Sequence, residues 1–548
     1  MSEIMKAAAA GYVGYALYSA ATKSDTCDFP PIRRNSPKIL VIGGGFSGIC
    51  MSIKLAEKGL DHVLVEKEQD LGGTWFLTKY PGAQCDVPSH GYSYSFEMNP
   101  DWSQAFATSQ EIWNYQVKVA KKYGVYNRSR LGTRVNYTKW VESRAQYEVE
   151  VQTVATGETE VLYFDFVVNG IGALHFPTYP KVPGVNNGTF QGTEMHTADY
   201  DPSFSVAGKR VVVIGSAASA VQLVPALAET AGKLTCIQRT PNWLAPQRSP
   251  VLPFSLEYGP FIRWCFRNLP GLLLLQRWAV FLSMEGLFYP LGAFSGTANW
   301  GQWIVRKVLI AFMSAQLRGD KKGLAAKVIP NYAVGCKRII RSHKFLPALM
   351  RDNVDLVTDR VLRIDPQAVV IKTSSGLEES IPCDVVMYAT GYEVGSVGPL
   401  RVQGKETVLT GSVLTERMVD MYYGVCGTDF PNSFMMLGPN TGLGHNSIII
   451  MLETQANFIA RTIELAAELG VGRIQIKQRA VTECMNYINA TLEGTVWKAG
   501  QCQSWYQIAN GDVPTLWPST TVRYMADLAP PKDLGLFECQ AKPTSSKI

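Results

Sequence analysis

The sequence predicts an α/β protein in which two Rossmann-like dinucleotide-binding domains share one chain and the second carries a helical insertion. Three observations lead there. Residues 38–66 and 209–240 each read strand, small-residue turn, helix, strand, the pattern that sets phosphate groups on a helix N-terminus. DFVVNGIG from Asp165 and DVVMYATGYE from Asp384 echo each other, as crossover strands joining two similar units would. Between residues 246 and 330 the pattern changes to helical runs rich in Leu, Phe and Trp, which interrupt the second unit.

In the first unit KILVI forms a short apolar strand, and Gly43, Gly45 and Gly48 fill a G-x-G-x-x-G frame. The first glycine lets the chain turn, the second lets backbone approach a pyrophosphate, and the third lets helix pack on strand. HVLVE then ends in Glu66, 18 residues after Gly48, where an acid meets a ribose 2′-hydroxyl. A purely structural turn would share the glycines but not the strand, helix and terminal acid together. The unit reads as an adenine dinucleotide site.

Residues 72–96 follow as a long irregular connection, of the kind that often carries function. Gly72 and Gly73 permit close backbone approach, and Trp75, Tyr80, Tyr92 and Tyr94 offer walls for a flat ring system. Asp86 stands among these apolar groups, and a carboxylate buried there needs a cation or donors. Residues 147–171 alternate and then become fully apolar, which predicts a β-meander and a core strand. Pro177, Pro180 and Pro183 mark a connector and domain boundary.

The second unit repeats the plan with Gly215, Ala217 and Ala220 in the three fingerprint positions. Alanine at the third is compatible with nucleotide binding, whereas the Ala217 methyl occupies space where backbone meets pyrophosphate. Its second strand ends in Gln238, Arg239 and Thr240 rather than in an acid. A cation and a hydroxyl there suit a 2′-phosphate, so NADP is preferred over NAD. A structural βαβ unit is the alternative. Residues 246–330 read as a lid or packing subdomain. Within them, 271–294 is strongly apolar but interrupted by Arg277 and Glu285, which favours packed helices over membrane insertion. Lys337 and Arg338 then stand side by side, either as a solvated pair or as the lining of a phosphate-bearing cleft. Residues 430–455 predict strand, glycine-rich turn and helix, and Trp497 and Trp505 lie in an aromatic, polar loop.

Bulk properties narrow the class. A chain of 548 residues needs two or three cores. The net charge of +6 comes from scattered Lys and Arg, which gives no nucleic-acid surface. The 11 cysteines include no C-x-x-C pair and no metal spacing, so they are expected as free thiols in a reducing, cytoplasmic setting rather than as a redox-active dithiol. The apolar run 7–22 is shorter than a membrane span, so no firm membrane anchor is expected, association with a membrane through this run being the alternative to a cytoplasmic setting.

These motifs resemble those of the type I Baeyer–Villiger monooxygenases, from residue 37 to about 525. The family fingerprint FxGxxxHxxxW appears as Phe190, Gly192, His196 and Tyr200, with tyrosine in place of tryptophan, as in the related flavin-containing monooxygenases. GGTWFLTKYPGAQCDVPS resembles the family's GGTWYWNRYPGARCDxxS segment, with Gln84 replacing an arginine, and GCKR resembles its Lys–Arg pair. The resemblance implies an FAD-binding domain over 37–180 and 390–548 and an NADP-binding domain over 181–245 and 331–389. A helical insertion at 246–330 and an extension at 1–36 complete the expected organisation. It implies that Ser47, Glu66, Gly73, Thr74, Trp75 and Tyr92 contact FAD, and that Gly215, Ser216, Ser219, Gln222, Arg239, Thr240, Lys337 and Trp505 contact NADPH. Asp86 would orient Arg338, which would stabilise charge while a ketone and O₂ give an ester or lactone. Tyr200 keeps open oxygenation of nitrogen or sulfur, and Ala217 and Gln84 a nucleotide-binding protein without turnover.

Overall fold

Two parallel five-stranded sheets organise the protein, seen in a computed structural model that describes residues 27–248, 256–291, 300–412, 420–500, 502 and 504–542. The first sheet runs in the order Ser433–Met435, Phe166–Asn169, Ile39–Ile42, His62–Val65, Ser129–Arg130. The strand Ile39–Ile42 is buried on both sides, and its alternating side chains serve two cores. Ile39 and Val41 face the helices Phe46–Glu57 and Ile448–Glu468, while Leu40 and Ile42 pack with Trp140, Tyr147 and Val149 of a mixed five-stranded sheet. This period of two, with Val and Ile on both faces, is what a covered parallel strand requires. The predicted meander is present as Thr133–Val141, Gln146–Thr153 and Thr159–Phe164, followed by the core strand Phe166–Asn169.

The second sheet repeats the arrangement in the order Val354–Val357, Lys233–Ile237, Arg210–Ile214, Val385–Tyr388, Thr193–His196. The helix Ala218–Leu227 contacts Arg210–Ile214 and Lys233–Ile237, while Val212 and Ile214 pack with Val369 and Ile371 of a three-stranded antiparallel sheet. The echoed aspartates explain themselves here. Asp165 accepts from the Lys38 amide at 2.9 Å, and Asp384 accepts from the Arg210 amide at 2.8 Å. Each therefore latches its crossover strand to the first strand of its own unit.

The connectors between the units lie side by side, with the Thr178 amide donating to the Gly391 carbonyl at 2.9 Å and Glu393 to Phe176 at 2.8 Å. His196, from the fingerprint, is buried at the end of its strand against Tyr179 and Tyr392 of those connectors. Burial lowers its pKa to about 4, so it packs there as a neutral ring. Tyr200 is likewise buried.

The helices Pro260–Asn268, Leu272–Gly286, Trp300–Gln316 and Leu324–Val328 leave from Leu244–Ala245 and return at Ile340–Arg341, and these two short strands pair in parallel. Arg277 and Glu285, the two charges that interrupt the apolar run, point inward. The Arg277 guanidinium donates to the His90 and Ser93 carbonyls at 3.0 and 2.9 Å. Glu285 accepts from Asn446 at 2.7 Å and from Thr521 at 2.5 Å. No single helix among the described residues is long and apolar enough to cross a membrane; the run 7–22 lies outside them.

One expectation is corrected. Cys336 and Cys502 form a disulfide across 166 residues, so the cysteines are not all free thiols. No local spacing could announce it, because the partners meet only when the loop of the second unit and the C-terminal loop are packed together. Nine cysteines remain free. Thiol titration of the denatured, unreduced protein should find nine reactive groups and, after reduction, eleven. Eleven before reduction would disprove the bridge.

Candidate functional site

The two dinucleotide turns have nearly the same backbone. Gly43 and Gly215 take φ of +99° and +122°, a region that disfavours side chains. A Cβ at Gly43 would lie 2.8 Å from the Gly170 carbonyl oxygen, and one at Gly215 would lie 2.3 Å from that of Ala389. Each turn is thus pressed against the echoed crossover strand. At Gly48 a Cβ would come within 1.8 Å of the Gly43 carbonyl, which is why helix and strand pack so closely there. Neither Phe46–Glu57 nor Ala218–Leu227 has a side-chain cap or an acid in its first turn. Their amide ends therefore fit anionic phosphate groups.

Around the first turn, the Gly72 amide donates to the Gly44 carbonyl at 2.9 Å. A Cβ at Gly73 would touch Gly45 Cα at 2.8 Å, so two glycine pairs meet backbone to backbone. Ser47 is buried behind them and Thr74 is exposed at the start of the short helix Thr74–Leu77. The Trp75 indole donates to the Tyr92 hydroxyl at 3.2 Å, and their rings meet edge to face. This half-buried pair forms an aromatic wall beside the glycines, as a flat ring system needs. Glu66 accepts from the Gly44 amide at 2.5 Å and from Glu68 at 2.9 Å, and its burial raises its pKa. It braces the turn from the position where the ribose is expected.

Two predicted aromatics have other roles. Tyr94 is fully buried and donates to the Phe46 carbonyl at 2.7 Å, so it is core rather than wall. Tyr80 donates to Gln222 at 2.7 Å. Gln222 also donates to the Gln84 carbonyl at 2.9 Å, so its amide joins the second helix to the loop carrying Asp86. Gly82 makes this approach possible, since a Cβ there would lie 2.6 Å from the Gln222 carbonyl oxygen.

At the second turn, Ala217 takes φ −82° and ψ −161°, against −82° and −164° for Gly45. The backbone is thus that of the glycine turn, and only the methyl differs. Ser216 donates to the Thr240 carbonyl at 3.1 Å, tying turn to second strand, and Ser219 is half-buried on the following helix. Arg239 is exposed and has no ion-pair partner among the described residues. Lys337 is near enough that its pKa is lowered by burial and then by the Arg239 charge. Two cations held together without a counter-ion are an anion site in waiting. If the Ala217 methyl faces the phosphates, Ala217→Gly should lower the Kd for NADPH several-fold, read by titration, with the melting temperature little changed. An unchanged Kd would mean the methyl lies clear of the ligand.

The two halves are joined most directly at Arg338. Its Nε and Nη2 donate to the Asp86 carboxylate at 2.5 and 2.6 Å, and its Nη1 donates to the Leu443 carbonyl at 3.4 Å. Burial alone would raise the Asp86 pKa, but the Arg338 charge and hydrogen bonds hold it below the ordinary value. Burial opposes the Arg338 charge, yet Asp86 more than restores it. The Arg338 side chain keeps 32% of its surface open, while Asp86 fixes the plane of its guanidinium. This is a permanently charged donor group in a partly dry cleft.

Two further residues frame it that the sequence did not single out. Arg341 carries a pKa lowered by burial and by Arg338, with Asp86 pulling the other way; Asp86 thus feels the charge of both guanidinium groups. Tyr506 is buried beside Arg338, and burial pushes its hydroxyl up to about 12 against the pull of that cation. Its neighbour Trp505, the residue the sequence favoured, is 48% exposed. Trp497 is core, donating to the Gly335 carbonyl at 3.2 Å. The Cys336–Cys502 bridge clamps the same two loops. The bridge joins the GCKR loop to the aromatic, polar loop that carries Trp497 and Trp505.

Comparison with known proteins bears on this arrangement. Residues 36–250 match the family model of flavin-binding monooxygenase-like proteins. An FAD-binding monooxygenase of Aspergillus niger is 34% identical over 510 residues, covering 90% of this chain and 80% of that protein. A Baeyer–Villiger monooxygenase of Pseudomonas aeruginosa is 32% identical over 502 residues, covering 90% of each. Among solved structures, cyclohexanone monooxygenase from Rhodococcus bound to NADP⁺ superposes with a TM-score of 0.77 at 23% identity. It covers 93% of this chain and all of that one. At that identity the likeness shows a shared fold.

Proposed function

The chain belongs to the flavin-binding monooxygenase-like family and, within it, to the Baeyer–Villiger monooxygenases, and from that premise we propose that it converts ketones to esters or lactones with FAD, NADPH and O₂, Arg338 being the group that stabilises the reacting charge. The observation that carries the role of Arg338 is the bidentate Asp86–Arg338 pair, which brings a fixed cation from the second unit against the loop beside the first.

Each unit fits its dinucleotide on its own residues. Gly43, Gly45, Ser47, Gly48 and Gly73 cradle FAD phosphates at the first helix end, Glu66 and Thr74 flank the adenosine and phosphate positions, and Trp75 and Tyr92 wall the ring. Gly215, Ser216 and Ser219 receive the NADPH pyrophosphate, and Arg239, Thr240 and Lys337 its 2′-phosphate. Bound FAD, reduced by NADPH, supplies the oxygen-transfer chemistry. The protein's part is to bind the two cofactors face to face, exclude water, and hold a cation where negative charge develops on oxygen. Arg338 does this without gaining or losing a proton, because a guanidinium stays charged at any working pH. Asp86 holds its plane, and Nη1 also donates to the Leu443 carbonyl.

The decisive experiment presents a ketone and a thioether separately to the FAD-loaded enzyme with NADPH under ¹⁸O₂. One labelled oxygen in an ester from the ketone supports the reading. Labelled sulfoxide with no ester would favour the flavin-containing monooxygenase alternative that Tyr200 raises. If Arg239 reads the 2′-phosphate, Arg239→Ala should raise the Kd for NADPH by about tenfold or more while leaving NADH little changed. Equal weakening of both would remove that role.

A further inference from the structure

Ten of the seventeen large apolar side chains that the described residues expose lie between 261 and 308, so this surface is concentrated on the helical insertion. Phe261 and Trp264 stack with ring centres 6.3 Å apart and stay 74% and 51% exposed. Leu275 and Leu282 open from the next helix, seven residues apart on one face. On the helix Trp300–Gln316, Trp300 and Trp303 are 77% and 62% exposed, and Ile304 and Val308 continue the same stripe. The helices are apolar on both sides, with Val280, Met284, Leu309 and Met313 buried within. Polar Arg277 and Glu285 face inward with their bonds made, while leucine and tryptophan face out. A helix that is apolar on its solvent side is waiting for another apolar phase.

Charge identifies that phase. Residues 260–330 hold nine Lys or Arg against two Asp or Glu, whereas the whole chain carries +6; the insertion therefore accounts for the protein's entire positive excess. Lys307, Arg318, Lys321 and Lys327 are exposed, and Lys307 Nζ lies 5.9 Å from the Trp303 ring. Tryptophan beside a long cationic chain is the pairing that settles at a lipid–water boundary, ring in the headgroup layer and ammonium among phosphates. The helices Pro260–Asn268 and Leu272–Pro290 meet at 103°, a corner suited to lying on a bilayer. A second copy of the chain is the poorer occupant, because a symmetric contact would press two cationic faces together.

We propose that the helical insertion docks this protein onto the surface of an anionic lipid bilayer, through the apolar stripes around Phe261, Trp264, Trp300 and Trp303 and the exposed lysines beside them.

The test is sedimentation of the full-length, FAD-loaded protein with vesicles of phosphatidylcholine, alone or mixed with phosphatidylglycerol. Retention on the mixed vesicles, weaker on the neutral ones and reduced by added salt, is expected. Trp300→Ser with Trp303→Ser, and separately Lys307→Glu with Lys321→Glu, should each lower the partition coefficient about tenfold. Flavin content and turnover of a water-soluble ketone should be unchanged, which shows that each variant is folded. Retention that both double variants leave intact would overturn the proposal and place lipid contact elsewhere in the chain. Failure to bind either vesicle, or concentration-dependent self-association in its place, would overturn it as well.

Discussion

Arg338→Ala should lower the rate of ester formation by about a thousandfold while FAD remains bound and NADPH still bleaches it. The size follows from what one well-placed donor to a developing oxygen charge is worth, about 10²–10³ in rate, with the loss of a full positive charge added. The FAD cradle is untouched, since the residues proposed for it lie on the glycine turn and on the 73–92 loop. Consumption of NADPH should therefore continue, with the oxygen escaping as hydrogen peroxide instead of entering product. Arg338→Lys should recover only part of the yield: an ammonium restores the charge but cannot hold both Asp86 oxygens at once. Ester yield undiminished in the alanine variant would remove Arg338 from the mechanism.

The second large effect is expected at Asp86. Asp86→Ala leaves Arg338 and Arg341 near one another with their shared counter-ion gone, and breaking such a pair costs about 3 kcal/mol. A fall in the denaturation midpoint and a deep loss of turnover should come together, because Arg338 loses the partner that fixes its plane. Asp86→Asn keeps the shape without the charge and should recover stability in part but not rate. The pH dependence has a definite sign. Asp86 is held below the ordinary carboxylate value of 3.8, so its contribution is complete above that pH and is lost as pH falls through the depressed value. Wild type should accordingly outlast the Asn variant at neutral pH, and the two should converge in acid. Equal stability at neutral pH would show that the pair contributes nothing to the fold.

Much of this was legible in the sequence because it depends on local chemistry. Both dinucleotide turns, the echoed aspartates and the meander are patterns of period two or of fixed glycine spacing, and the backbone has little choice about them. Asp86 was recognised for the same reason: a carboxylate among aromatics needs a cation, and Arg338 meets it from 252 residues away. What stayed hidden depends on convergence. Arg341 and Tyr506 carry no motif, and they matter only because the return strand of the insertion and a C-terminal loop close on the same guanidinium. Tyr94 and Trp505 turn out differently. Both looked suited to a cofactor by residue type; burial makes Tyr94 a core ring, whereas Trp505 stays exposed, as a cofactor-facing side chain must. The Cys336–Cys502 bridge could not be read from spacing because its loop closes through both units.

The central claim is that a cation carried by the nicotinamide half is held, through Asp86, against the flavin half. The most direct measurement is a crystal structure of the enzyme with FAD and NADP⁺ bound. The Arg338 guanidinium is expected to be still paired with Asp86 and to face the reacting edge of the flavin. A guanidinium turned to solvent, with Asp86 bonded elsewhere and both cofactors in place, would contradict it.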